Sequence, residues 1–211
     1  MTEIIPSINH PDPAEIRRRI KLVEPYVSWV HVDVSDGIFT SQKFFNDPEA
    51  LVGFETTAQM ELHLMTDKPE AYLDAWLRTP AARFWIHVES TAAFDDIRER
   101  LAREGREIGC ALRPETSAAA FAPYATACNY VMALGVDPGP SGQQMQPHII
   151  EKISTLRKAH PDAIIEVDGG VSLALGTAKK CVEARADILV VGHEIFSSPD
   201  IPHAIEKFRN L

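Results

Sequence analysis

Trp29-Val30-His31-Val32-Asp33-Val34 is an apolar run in which two alternate positions carry groups that bind cations or move protons. Successive side chains of a β-strand point to opposite faces, so His31 and Asp33 share one face while the valines occupy the other. The pattern recurs downstream. Glu61-Leu62-His63-Leu64-Met65 places Glu61, His63 and Met65 on one face, and Glu166-Val167-Asp168-Gly169-Gly170 ends an apolar run in an aspartate and a glycine pair. Three strands therefore deliver two imidazoles and two carboxylates.

Working outward, short apolar runs alternate with longer amphipathic stretches along the whole chain, with no low-complexity break. The strand candidates are Glu3–Ile8, Trp29–Val34, Met60–Met65, Arg83–Val88, Glu107–Leu112, Asn129–Leu134, Ala163–Val167 and Ile188–Val191. Between them, apolar residues fall three or four apart: Ile16, Ile20 and Val23; Phe94, Ile97 and Leu101; Ile149, Ile153 and Leu156; Ile201, Ile205 and Phe208. Asp12-Pro13, Asp47-Pro48, Lys68-Pro69 and Ser198-Pro199 read as helix starts with proline near the first turn. Eight strand-then-helix units predict an α/β fold, a (β/α)8 TIM barrel forming one catalytic domain over residues 1–211. A doubly wound open sheet is the runner-up. It places its phosphate loop after the first strand, whereas the glycine-rich turns here follow the sixth, seventh and eighth.

Composition limits the function classes. The chain is 45% hydrophobic and 24% charged, with a net charge of -9, which argues against nucleic-acid or membrane partners because both need a basic patch. The one dense basic cluster, Arg17-Arg18-Arg19, reads as the solvated face of the first helix. Cys110, Cys128 and Cys181 are odd in number and widely spaced, which predicts reduced core thiols in a cytoplasmic protein. Neither a leader nor a membrane span is read in the sequence.

If the polar strand faces point inward, His31, Asp33, His63 and Asp168 converge near the C-terminal mouth of the barrel, where such enzymes place their chemistry. Together they form a set suited to one divalent metal ion with acid/base groups attached. Zinc, iron(II), manganese and cobalt all accept two imidazoles and two carboxylates.

The chain closely resembles the ribulose-phosphate 3-epimerase family. The likeness runs from Pro6-Ser7-Ile8 through His31-Val32-Asp33-Val34-Ser35-Asp36-Gly37, His63-Leu64-Met65, His87-Val88-Glu89, Val136-Asp137-Pro138-Gly139, Gly142-Gln143 and Glu166-Val167-Asp168-Gly169-Gly170 to Val191-Gly192 and Ile195-Phe196. It implies a barrel that inverts carbon 3 of a ketopentose 5-phosphate with one divalent metal. Metal ligation would fall to His31, Asp33, His63 and Asp168, with Asp33 and Asp168 also serving as acid and base. The expected partner is a small sugar phosphate, ribulose 5-phosphate and xylulose 5-phosphate first and allulose 6-phosphate next. Family members are commonly homo-oligomers.

The chemistry needs such a set. A proton beside a ketone is too weak an acid for a free carboxylate, so negative charge on the developing enediolate must be stabilised. Inversion requires removal from one face and return to the other, which calls for two acid/base groups. By resemblance Ser7 contacts substrate or a metal ligand, and Met65 lines the site. Glu61, His87, Glu89 and Glu166 read as interior polar groups that orient the ligands. Phosphate is expected at the backbone of Gly169-Gly170, with Ser141, Gly142, Gly192 and His193 completing the rim and the next helix beginning near Ser172.

The rim departs from the family pattern. Ser141-Gly142 stands where Gly-Gly is usual and Gly192-His193 where Gly-Ser is usual. Ser35, Ile38, Glu115 and Pro140 replace a common methionine, histidine, glycine and phenylalanine. A Schiff-base aldolase is disfavoured because no lysine ends a strand, and a decarboxylase because Asp33-Val34-Ser35-Asp36 lacks the Asp-x-Lys-x-x-Asp pattern. A non-catalytic sugar-phosphate-binding protein is a further alternative, weakened by retention of both aspartates.

Overall fold

The strands form where the apolar runs predict them: β1 (Glu3–Ile8), β2 (Trp29–Ser35), β3 (Gln59–Met65), β4 (Arg83–His87), β5 (Glu107–Leu112), β6 (Tyr130–Leu134), β7 (Ile164–Asp168) and β8 (Ile188–Val191). A computed structural model describes residues 2–211. The strands follow one another in chain order in a closed barrel, with helices between them: α1 (Pro13–Val23), α2 (Leu73–Leu77), α3 (Phe94–Arg103), α4 (Ile149–Ala159), α5 (Thr177–Glu183), α6 (His193–Phe196) and α7 (Ile201–Arg209). This is the (β/α)8 TIM barrel, and the open doubly wound sheet is excluded. Strands covered on both faces need continuous apolar sequence, and apart from their first residues β2 and β3 are buried throughout.

By their internal contacts the residues group into two compact units. In the unit containing Ser7–Gly109, β2 and β3 pair in parallel with His31 opposite Glu61, Asp33 opposite His63 and Ser35 opposite Met65. His63 in turn pairs with Trp85 on β4, and Ser7 with His31. Helix α1 buries Ile16, Ile20 and Val23 and is capped by Asp12, whose side chain accepts the Ala14 N–H. In the unit containing Cys110–Asp137 and Ser141–Leu211, Leu134 on β6 pairs with Asp168 on β7, and Asp168 with Val190 on β8. Helices α4, α5 and α7 bury Ile153, Cys181 and Ile205 there.

Four helix-start expectations need correction. Asp47-Pro48 and Lys68-Pro69 open only single 3-10 turns, Pro48–Leu51 and Pro69–Ala71, and neither has a side-chain cap. Ser198-Pro199 precedes the helix. The cap of α7 is Asp200, which accepts the His203 N–H at 3.0 Å, and Pro202 is the proline of its first turn. The helix expected near Ser172 begins at Thr177, because Ser172 Oγ accepts the Leu175 N–H and closes a local turn that Gly176, at φ 70, carries into the helix. The three cysteines are free and buried as expected, and burial pushes the Cys181 thiol up to about 12. No helix among the described residues is long and apolar enough to cross a membrane.

Candidate active site and metal centre

Alternation along β2 and β3, with Asp33 and His63 directly paired, gives the site its geometry. His63 Nδ1 lies 3.1 Å from Asp33 Oδ1, and His31 Nε2 lies 3.4 Å from the same oxygen. The opposite ring nitrogens are held from behind. His31 Nδ1 meets Glu61 Oε1 at 2.7 Å, and His63 Nε2 meets His87 Nε2 at 2.8 Å. One ligand atom from each of His31, Asp33, His63 and Asp168 lies within 4.8 Å of the others, and all four residues are buried. The second polar group, His31, Glu61 and Glu166, meets the same spacing. Because His31 Nδ1 faces Glu61, we read that group as support for the imidazole.

Two convergent imidazoles and two carboxylates fit a divalent cation by donor chemistry. The outer partners fit as well, because a ligating histidine donates its other N–H to a carboxylate or similar acceptor that fixes its tautomer. Glu61 itself is fully buried and anchored by Arg83 Nη1 at 2.9 Å. Burial pushes its carboxyl up, but the hydrogen bond with His31 and the charges of His31 and Arg83 outweigh this and hold it below the usual carboxylate range. Asp33 behaves alike. Burial raises it, and the hydrogen bonds and charge of His31 and His63 bring it well below its ordinary value.

The remaining expected residues are placed as follows. Ser7 donates its hydroxyl to Asp33 Oδ2 at 3.0 Å, so its observed partner is a candidate metal ligand. Met65 is buried at the end of β3. Gly169 and Gly170 have φ of 89° and 70°, and a Cβ on Gly170 would lie 2.3 Å from the Met145 nitrogen. Glycine is therefore required at this turn on two counts. Ser141 and Gly142 are exposed, and Gly192 precedes α6, of which His193 is the first and an exposed residue.

Three residues were not singled out from sequence. Arg83 anchors Glu61. Phe39, in the loop after β2, packs on His87 with ring centroids 4.8 Å apart. Glu194 binds the turn after β7. Arg83 was legible in principle, since it opens β4 in register with Glu61; Phe39 and Glu194 carry no local signal.

Comparison with known proteins gives a consistent result. The model of the "Ribulose-phosphate 3 epimerase family" matches residues 3–196. A Schizosaccharomyces pombe protein named ribulose-phosphate 3-epimerase is 31% identical, covering 99% of this chain and 92% of its own. A rice protein named ribulose-phosphate 3-epimerase, cytoplasmic isoform, is 30% identical over 98% of this chain and 92% of its own. Among solved structures, a 3-hexulose-6-phosphate synthase superposes with a TM-score of 0.71 at 14% identity, covering 99% of both chains. That likeness concerns the fold alone.

Proposed function

Because this chain belongs to the ribulose-phosphate 3-epimerase family, a family of isomerases, we propose that it interconverts D-ribulose 5-phosphate and D-xylulose 5-phosphate by proton transfer at carbon 3. The observation carrying this reading is the convergence of Asp33 and Asp168 with two imidazoles in one buried cluster. A binding protein needs no pair of proton-transfer groups, whereas inversion at carbon needs two.

In this proposal His31, Asp33, His63 and Asp168 hold one divalent ion, zinc, iron(II), manganese or cobalt. When bound there, such an ion would supply Lewis-acid stabilisation of the negative charge that develops on the substrate. Asp33 takes the carbon-3 proton of one epimer, and Asp168, from a different strand, delivers a proton to the opposite face; in the reverse direction the roles exchange. Ser7 fixes the orientation of Asp33 through Oδ2. Glu61 and His87 fix the imidazole rings, and Met65 lines the site with apolar, polarizable surface that keeps water from the carbanionic centre. Backbone N–H groups of Gly142, Gly169, Gly170 and Gly192, with Ser141 and His193 beside them, hold the substrate phosphate.

The barrel then acts as one catalytic domain over residues 1–211, with a small sugar phosphate as its partner. Its buried free thiols and the name of the rice relative support a cytoplasmic setting. The test is conversion of ribulose 5-phosphate, with metal measured on the same sample. Interconversion with about one equivalent of metal supports the proposal, and a protein that binds the sugar phosphate without turning it over would replace it with the binding-protein reading.

A further inference from the structure

The loops after β7 and β8 are joined by a carboxylate. Glu194, the second residue of α6, reaches the turn that follows Gly169-Gly170: one of its oxygens accepts the Ser172 hydroxyl hydrogen and the other accepts the Leu173 N–H at 3.1 Å. The turn has no spare donor at Ser172, whose N–H goes to Thr177 Oγ1 at 2.8 Å. Two donors of this rim are thus already bonded to an anion.

The charge balance is one-sided. Residues 169–176 and 192–198 contain no lysine or arginine, and His193 is their one basic side chain. A phosphate dianion held by the backbone of Gly169-Gly170 and Gly192 would approach the Glu194 carboxylate with no permanent cation from either loop to offset it. Like charges juxtaposed in a site are a means of discrimination as effective as an attractive contact.

Resting on the assignment of these loops to phosphate, we infer that Glu194 is a specificity-determining residue that penalises a dianionic group at the far end of the substrate. The chain therefore separates a ketose phosphate from the corresponding free ketose less sharply than its glycine-rich turns alone would allow. The contact is remote from carbon 3 and similar in ground and transition states, so its effect falls on KM. Glu194→Gln removes the charge and keeps an acceptor for Ser172 or Leu173. Glu194→Ala removes both.

Two measurements on the full-length, metal-loaded protein test the inference. In the first, inorganic phosphate is titrated into wild type and Glu194→Gln and binding is followed by 31P NMR, which requires no turnover. The inference predicts binding tighter by about tenfold in the variant; unchanged or weaker binding would overturn it, whatever the substrate proves to be. In the second, kcat and KM are measured on ribulose 5-phosphate and on ribulose. The ratio of kcat/KM for the phosphorylated over the free sugar should rise by about tenfold in Glu194→Gln, with the change carried by KM. If Glu194 merely ties the turn, the ratio stays fixed, and Glu194→Ala lowers the melting temperature and raises KM for both sugars together. Absence of turnover by wild type on either sugar would count against the epimerase assignment, and the phosphate titration would still decide the role of Glu194.

Discussion

Glu61 and His31 face each other across the β2–β3 ladder as direct register partners, with Glu61 Oε1 2.7 Å from His31 Nδ1. That bond places the second ring nitrogen, Nε2, toward Asp33. Glu61 is in turn the counter-ion of Arg83, which is 4% exposed. A single buried carboxylate therefore couples the stability of the barrel to the readiness of the site.

Glu61→Gln takes the buried carboxylate from Arg83, whose guanidinium also pairs with the half-exposed Glu107. The expected loss at neutral pH is about 3 kcal/mol in denaturant unfolding. Because the folded-state pKa of Glu61 is lowered, its contribution is complete above the unfolded-state pKa and is lost as pH falls through the folded value. The gap between wild type and variant should accordingly close on acidification. A gap independent of pH between neutrality and the acid limb would remove Glu61 as the ionised partner.

Asp33→Asn and Asp168→Asn keep size and one ligand oxygen but cannot exchange protons. Each should reduce net epimerisation by about a thousandfold or more, even where metal is retained. Asp168→Asn should still exchange solvent deuterium into the one epimer whose carbon-3 proton faces Asp33. Full activity in either metal-loaded variant would defeat the two-base mechanism.

His63→Ala should lower metal content and activity together, since Nδ1 faces Asp33 within the proposed ligand set and Nε2 is braced by His87. Removing the brace instead, with His87→Ala, should weaken metal affinity by about tenfold while leaving the ligand set intact. Metal titration of the two variants distinguishes the roles. Normal stoichiometry in His63→Ala would shift the ligand role to His87.

Gly170→Ala tests the turn after β7. The added Cβ meets the Met145 backbone nitrogen at 2.3 Å while φ stays at 70°, so both strain and overlap oppose it. The expected destabilisation is about 2 kcal/mol or more, with KM for ribulose 5-phosphate raised more than kcat is lowered. A fully stable variant would show that the turn relaxes freely.

Much of this molecule was legible in its sequence because buried parallel strands demand uninterrupted apolar residues, so polar exceptions such as His31, Asp33, His63 and Asp168 stand out. Alternation then predicts which of them share a face. The errors fall where a local side chain decides between continuing and closing a turn. Ser172 closes one with its own hydroxyl, and Asp200 rather than Ser198 takes the free N–H at the start of α7. Glu194 and Phe39 were invisible because their partners, Ser172 and His87, are distant in the chain and joined to them only by tertiary packing.

The central claim, two-aspartate inversion at carbon 3, is tested most directly by incubating the metal-loaded enzyme with D-ribulose 5-phosphate in D2O and following carbon 3 by proton NMR. The account predicts formation of xylulose 5-phosphate in which each newly inverted carbon 3 carries solvent deuterium, with loss of both exchange and inversion when metal is chelated. Inversion that retains the original proton, or undiminished inversion in a protein stripped of metal, would contradict it.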